Sequence, residues 1–175
     1  ESFEMLNSIR RAPEEKITDK REGVMGVDRL TGKWLTFITG QVVADSPMPL
    51  TDAGLQARRE FDLRENSSSA CVPPNLPSLL MIPYIYDITR SGDTVNIFHE
   101  YSQIRRPGIL GSRVGNITDP QYGGRIGRYE DGALIIESTG FPAMAAGLAS
   151  GWDPNGNGAD IPSSENKKLI ERYTV

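Results

Sequence analysis

Apolar and polar side chains alternate with period two through the second half of this chain. Gly, Pro, Asn and Asp break the pattern at short intervals, which predicts strands joined by tight turns. Tyr122 to Phe141 carries the clearest signal: a Gly-punctuated run leads into Asp131-Gly132 and out through Ala133-Leu134-Ile135-Ile136-Glu137. Asp-Gly accepts positive φ at both turn positions, as a two-residue hairpin loop requires. A second hairpin is predicted from Leu79–Thr89 and Thr94–Tyr101 across Arg90-Ser91-Gly92-Asp93, then a strand over Gln103–Leu110 interrupted at Pro107-Gly108. Gly32–Ala44 reads as a strand pair broken at Gly40, and Lys167–Val175 as a closing strand.

The helical signal is smaller. Leu50–Phe61 fits one short amphipathic helix with Thr51 as its N-cap. Asn66–Pro77 can be neither helix nor central strand, because its prolines lack the backbone donor that both need. Pro142–Ser164 is a long Gly/Ala/Asn-rich excursion. The expectation is therefore an all-β fold, either a curled antiparallel sheet or a small, calycin-like β-barrel. It would have roughly seven to nine strands and one or two short helices. Residues 1–30, charged and weakly periodic, read as an N-terminal arm, and 31–175 as a single β-rich domain. A chain that stops within a strand exposes backbone donors and acceptors. The last segment is thus expected to continue in the native protein or to pair with another chain, a homodimer through this strand being the simplest closed assembly. The start at Glu1, without Met, reads as a processed or trimmed form.

Composition narrows the classes. The chain has 175 residues, 38% of them hydrophobic and 24% charged, enough for a core of its own. Its 18 Gly and 12 Pro favour turns over long helices. A net charge of −4 argues against a nucleic-acid or anionic-membrane partner, and no apolar run is long enough to span a membrane. Cys71 is the single cysteine, which excludes an intrachain disulfide, and a buried structural thiol is the expected role.

Candidate chemistry is sparse. His99 is the only histidine. Strand periodicity sets Val95, Ile97, His99 and Tyr101 on one face; if that face points inward, His99 and Tyr101 line the interior as an acid/base pair, the alternative being a hydrogen-bonded structural histidine. Glu137 interrupts an apolar run and shares a face with Ala133 and Ile135. A buried carboxylate needs a partner, so an interior, Arg-paired, catalytic position is expected for it. Glu100 and Glu171, with Arg106 and Arg128, would position a polar ligand if interior, or form solvated cross-strand pairs if not. Asp153, Asn155 and Asn157 match the first half of a calcium loop. Glu165 falls one residue late and no helix pair flanks the run, so a plain turn is expected and no metal or other cofactor is invoked.

From about Pro49 onward, an ordered set of short motifs resembles a family of uncharacterised, mostly exported bacterial proteins with no established common activity. The set comprises Pro49-Leu50-Thr51-Asp52-Ala53-Gly54, Cys71-Val72-Pro73-Pro74 with Leu76-Pro77, Pro83-Tyr84, and Glu100-Tyr101 followed by Arg105-Arg106. It continues with Gly127-Arg128-Tyr129-Glu130, Leu134-Ile135-Ile136-Glu137, Thr139-Gly140-Phe141 and Ile170-Glu171-Arg172-Tyr173. The resemblance implies a β-rich, barrel-like domain, further strands beyond the last one here, and a periplasmic or secreted location. Where the family carries histidines, this chain has Gly111-Ser112-Arg113, Gly124 and Ser163, so no histidine role is carried over. Taken together, the expected function is a cofactor-free lyase, isomerase, cyclase or hydrolase acting by acid/base chemistry on a small apolar or aromatic molecule. The alternative is a non-catalytic carrier or a subunit of a larger assembly.

Overall fold

The computed structural model describes residues 9–11, 26–36, 49–110, 120–149 and 160–175. The strands are β1 (Ile9–Arg11), β2 (Gly32–Thr36), β3 (Ile85–Ser91), β4 (Thr94–His99) and β5 (Ile104–Leu110). They continue with β6 (Gly124–Glu130), β7 (Ala133–Thr139), β8 (Met144–Ala149), β9 (Ile161–Ser163) and β10 (Leu169–Thr174). Among the described residues one α-helix, α1, spans Asp52–Glu60. Eight strands form one sheet in the order β1-β2-β3-β4-β5-β6-β7-β10, and β8 pairs with β9 in a second, two-stranded sheet. All pairings are antiparallel except a two-residue parallel contact between β5 and β6. The fold is all-β, a curled sheet. Among the described residues β1 and β10 do not pair, so the sheet stays open and the barrel alternative is not realised.

Local chemistry accounts for the hairpins. Asp131 (φ 50°) and Gly132 (φ 76°) both turn left-handed to join β6 to β7, the conformation anticipated for Asp-Gly. β4 alternates as a half-buried strand should, with Val95, Ile97 and His99 buried and the residues between them half-buried. β10 does the same, burying Leu169, Glu171 and Tyr173. The N-cap of α1 forms as expected, Gly54 N donating to Thr51 Oγ1 at 3.2 Å.

Two segments depart from the pattern-based reading. The residues taken as an arm contribute β1 to the sheet edge and Leu30 to the core, where Trp34 Nε1 donates to Leu30 O at 2.7 Å. The Pro-rich crossing forms a short 3-10 turn at Ser67–Ala70 and is otherwise irregular, and together with the residues that follow it packs Leu76, Leu79, Leu80 and Ile82 into the concave side of the sheet. Its backbone is satisfied locally, Leu79 N donating to Asn75 O and Leu80 N to Pro77 O, both at 2.9 Å. Lys167 and Tyr86 hold it from outside. Lys167 Nζ donates to Leu76 O at 2.9 Å and to Gly147 O at 2.7 Å, over the Phe141 ring. Tyr86 Oη donates to Leu79 O at 2.7 Å. The run from Leu79 joins the hairpin only at Ile85, because a 3-10 turn over Ser78–Met81 takes its first residues into this plug. Pro107 is accommodated inside β5 where that strand has only β4 beside it, so no ladder bond on the β6 side is lost. The second half of the predicted Gly32–Ala44 pair lies outside the described residues.

Candidate functional site

The inner faces of β4, β5 and β10 carry the polar residues of an otherwise apolar interior. In the sheet order β5 and β10 are separated by β6 and β7, a lateral distance of about 14 Å in a flat sheet. Coiling of the sheet brings their inner faces together, and Arg106 Nη2 donates to Glu171 Oε1. The two side chains are 0% and 2% exposed. Tyr173 Oη donates to the other carboxylate oxygen at 2.6 Å, and Arg106 Nη1 lies 3.3 Å from His99 Nε2. The His99 ring meets the Tyr86 ring edge-on, with centroids 4.4 Å apart. A buried ion pair is tolerable only when its remaining donors and acceptors are met, and Tyr173 meets one of them.

Electrostatics set the protonation state. Burial, reinforced by the Arg106 and Arg125 guanidiniums, holds the His99 pKa well below its ordinary value, so the imidazole is neutral at neutral pH. A guanidinium can only donate, which makes His99 Nε2 the acceptor and puts the ring proton on Nδ1. That Nδ1, and Arg106 Nε, have no hydrogen-bond partner among the described residues. Burial by itself would lower the Arg106 pKa, but Glu171 and Tyr173 outweigh it and hold the guanidinium charged. Tyr173 is pushed well above the ordinary phenol value by burial and then by Glu171, so its hydroxyl stays protonated and donating. Both Glu171 oxygens and His99 Nε2 each accept a bond within the cluster, and the two donors His99 Nδ1–H and Arg106 Nε–H have no partner among the described residues.

The structure separates the residues singled out from the sequence. His99, Arg106 and Glu171 come together in the interior. Tyr101 does not join them: β4 ends at His99, and Tyr101 turns away in a 3-10 turn, half-buried, its ring 5.3 Å from that of Tyr84. Glu137 occupies the opposite face of β7 from the core residues Leu134 and Ile136. There it is paired with Arg128 and with Lys168 at 3.1 Å, its side chain 32% exposed. These two cations hold its carboxyl below the usual range, the Arg128 hydrogen bond acting most strongly. The interior position expected of Glu137 therefore belongs to Glu171. The physical reason is β7 itself, buried on both faces from Ala133 to Ile136, so that periodicity could not tell which face was the inner one. Arg128 also pairs with Glu130 at 2.9 Å on the same outer face. Glu100 is exposed, its Oε2 accepting from Ile85 N at 3.2 Å, which ties the start of β3 to the end of β4. Cys71 is exposed rather than buried. The Asp153, Asn155 and Asn157 loop lies outside the described residues, among which no three His, Cys, Asp or Glu side chains cluster as a metal site would.

Tyr173, Tyr86, Arg125 and Ser138 escaped the sequence reading. Tyr173 was within reach of it, since it shares a strand face with Glu171. Arg125 Nη1 donates to Pro107 O at 2.9 Å and its Nη2 to Tyr122 O at 3.2 Å, contacts made by an unpredicted approach of β5 to the start of β6. In comparisons with known proteins, no family model, no curated protein and no solved structure matches this chain.

Proposed function

We propose that the protein binds a small, largely apolar molecule against the concave face of its sheet, with His99, Arg106, Glu171 and Tyr173 as the polar group that orients it. One observation carries this reading. Two buried donors, His99 Nδ1 and Arg106 Nε, have no partner among the described residues in an otherwise apolar interior, where an unmet donor costs about 1–3 kcal/mol. Such orphans are tolerated where a bound group completes them, and a few convergent polar atoms in an apolar wall are the composition of small-molecule sites. Native mass spectrometry of the purified protein, with amide spectra recorded against short aliphatic and single-ring aromatic molecules, tests the reading. Movement of the Trp34, Tyr86 and His99 signals is expected. Signals left unmoved by every probe, with no co-purified molecule, overturn it.

A carrier fits the geometry better than an enzyme, because both Glu171 oxygens and His99 Nε2 are already occupied and no side chain of the cluster is free to take a proton. The catalytic alternative draws on the neutral imidazole of His99. Acid–base turnover of a bound molecule, as a lyase, isomerase, cyclase or hydrolase without a cofactor, would require the Arg106–His99 contact to open. The family resemblance supports a periplasmic or secreted location for either activity.

A further inference from the structure

We propose that the molecule received by this interior carries a carboxylate, bound through His99 Nδ1–H and Arg106 Nε–H; the inference rests on the small-molecule reading above and deepens it. The two ring and guanidinium nitrogens of the cluster without a partner among the described residues, His99 Nδ1 and Arg106 Nε, are both donors. Arg106 has no acceptor to offer, and His99 has given its one ring acceptor to Arg106 Nη1 at 3.3 Å. Both carboxylate oxygens of Glu171 are taken, one by Arg106 and one by Tyr173. A ligand whose polar end only accepts finds two N–H groups on neighbouring side chains, at 1% exposure each for His99 and Arg106.

Charge separates a carboxylate from an uncharged acceptor. Burial first, and then the Arg106 and Arg125 guanidiniums, disfavour protonation of the His99 ring, so both guanidiniums contribute positive potential at this imidazole. A positive potential in a water-poor interior favours an anionic acceptor over a neutral carbonyl, and charge-assisted N–H···O bonds are about twice as strong as neutral ones. Ser138 adds a third polar atom on the same inner face. It is fully buried on β7 opposite Leu169 of β10, and its Oγ has no partner among the described residues. The apolar remainder of such a ligand would lie against Trp34, Ile97, Leu134 and Ile136, which line the same core.

Because His99 is the only histidine, its ring nitrogens can be read in a 15N spectrum without assignment. The experiment titrates the labelled full chain with hexanoate and benzoate, and in parallel with 1-hexanol and benzyl alcohol. The expected result is movement of the His99 Nδ1–H and Arg106 Nε–H signals with either carboxylate, at least about tenfold tighter than with its alcohol. If the alcohols move these signals as well as the carboxylates do, the small-molecule reading stands and the carboxylate assignment fails. If none of the four moves them, both fail. A free protein with its proton on Nε2 rather than Nδ1 also overturns the assignment, by itself and without any ligand. His99→Phe keeps a ring against Tyr86 and removes both nitrogens, and it should weaken benzoate binding, read at Arg106, by about tenfold or more. Should that variant fail to fold, the tautomer and titration of the natural chain decide the matter.

Discussion

Replacing Glu171 by Ala removes a carboxylate whose two oxygens serve Arg106 and Tyr173. The guanidinium that remains is fully buried and cannot shed its proton, because an arginine keeps its charge at every accessible pH. Breaking a buried pair on one side costs about 3–5 kcal/mol, since the surviving charge must be dissolved in protein without a counter-charge. The Tyr173 hydroxyl loses its acceptor at the same time, a further cost of about 1–3 kcal/mol if it finds no other. The two penalties overlap, because water entering to solvate one group also reaches the other. We therefore expect Glu171→Ala to lose about 4 kcal/mol, roughly a quarter or more of the stability typical of a domain at about 5–15 kcal/mol. Urea unfolding followed by far-UV circular dichroism and by fluorescence of the buried Trp34 measures it. The double variant Arg106→Met with Glu171→Leu should lose far less than the sum of the two single changes, since it removes both charges and leaves apolar groups in their place. Glu137→Ala, on the outer face, is the control and should stay close to wild type. A Glu171→Ala protein within about 1 kcal/mol of wild type, or a strictly additive double variant, would refute the argument.

Three further outcomes can be checked. In the unfolded chain His99 titrates near its ordinary value, about 6.5, whereas in the fold its pKa is well below that, so the folded state binds fewer protons. Stability should be complete above about pH 6.5 and decline below it by up to about 1.4 kcal/mol per pH unit until the folded pKa is reached, and His99→Phe should flatten that decline in denaturation curves; an unaltered slope would sink the attribution. Gly123 (φ +67°) has no room for a side chain, since a Cβ there would stand 2.7 Å from Thr139 O, while Gly132 (φ +76°) has nothing within 4 Å. Gly132→Ala should cost only the left-handed strain of about 1–2 kcal/mol, and Gly123→Ala clearly more, by thermal melts; equal losses would contradict the close approach. Finally, β10 is bonded to β7 on one side and, among the described residues, to no strand on the other. We expect the chain to associate through this edge, and sedimentation showing a monomer at micromolar concentration would reject the expectation.

Local chemistry was legible in the sequence wherever a residue type has few conformational choices. Asp131-Gly132 made the turn it was read as making, and Thr51 capped α1, because positive φ and an N-terminal acceptor are decided within a few residues. Strand alternation likewise grouped His99 with Val95 and Ile97, and Leu169 with Glu171 and Tyr173, each set on one face. The all-β class followed from the same short-range signals.

What no local pattern contained was the identity of the inner face and of the residues that meet across it. In β7 the apolar run from Ala133 to Ile136 is buried on both faces, so alternation assigned Glu137 to a face but not to the interior, and the curl of the sheet gave that place to Glu171. The pairing of Arg106 with Glu171 joins residues 65 positions apart and exists only because coiling carries β10 over β5. The Pro-rich crossing was read as neither helix nor central strand and takes a 3-10 turn at Ser67–Ala70, while the burial of Leu76 at its end is a property of the concave surface that receives it, not of its own composition. Propensity is settled by neighbours in the chain, and charge pairing by neighbours in space. The first was present in these 175 residues as written, and the second arose only when the open sheet curled far enough to bring side chains of β5 and β10 together.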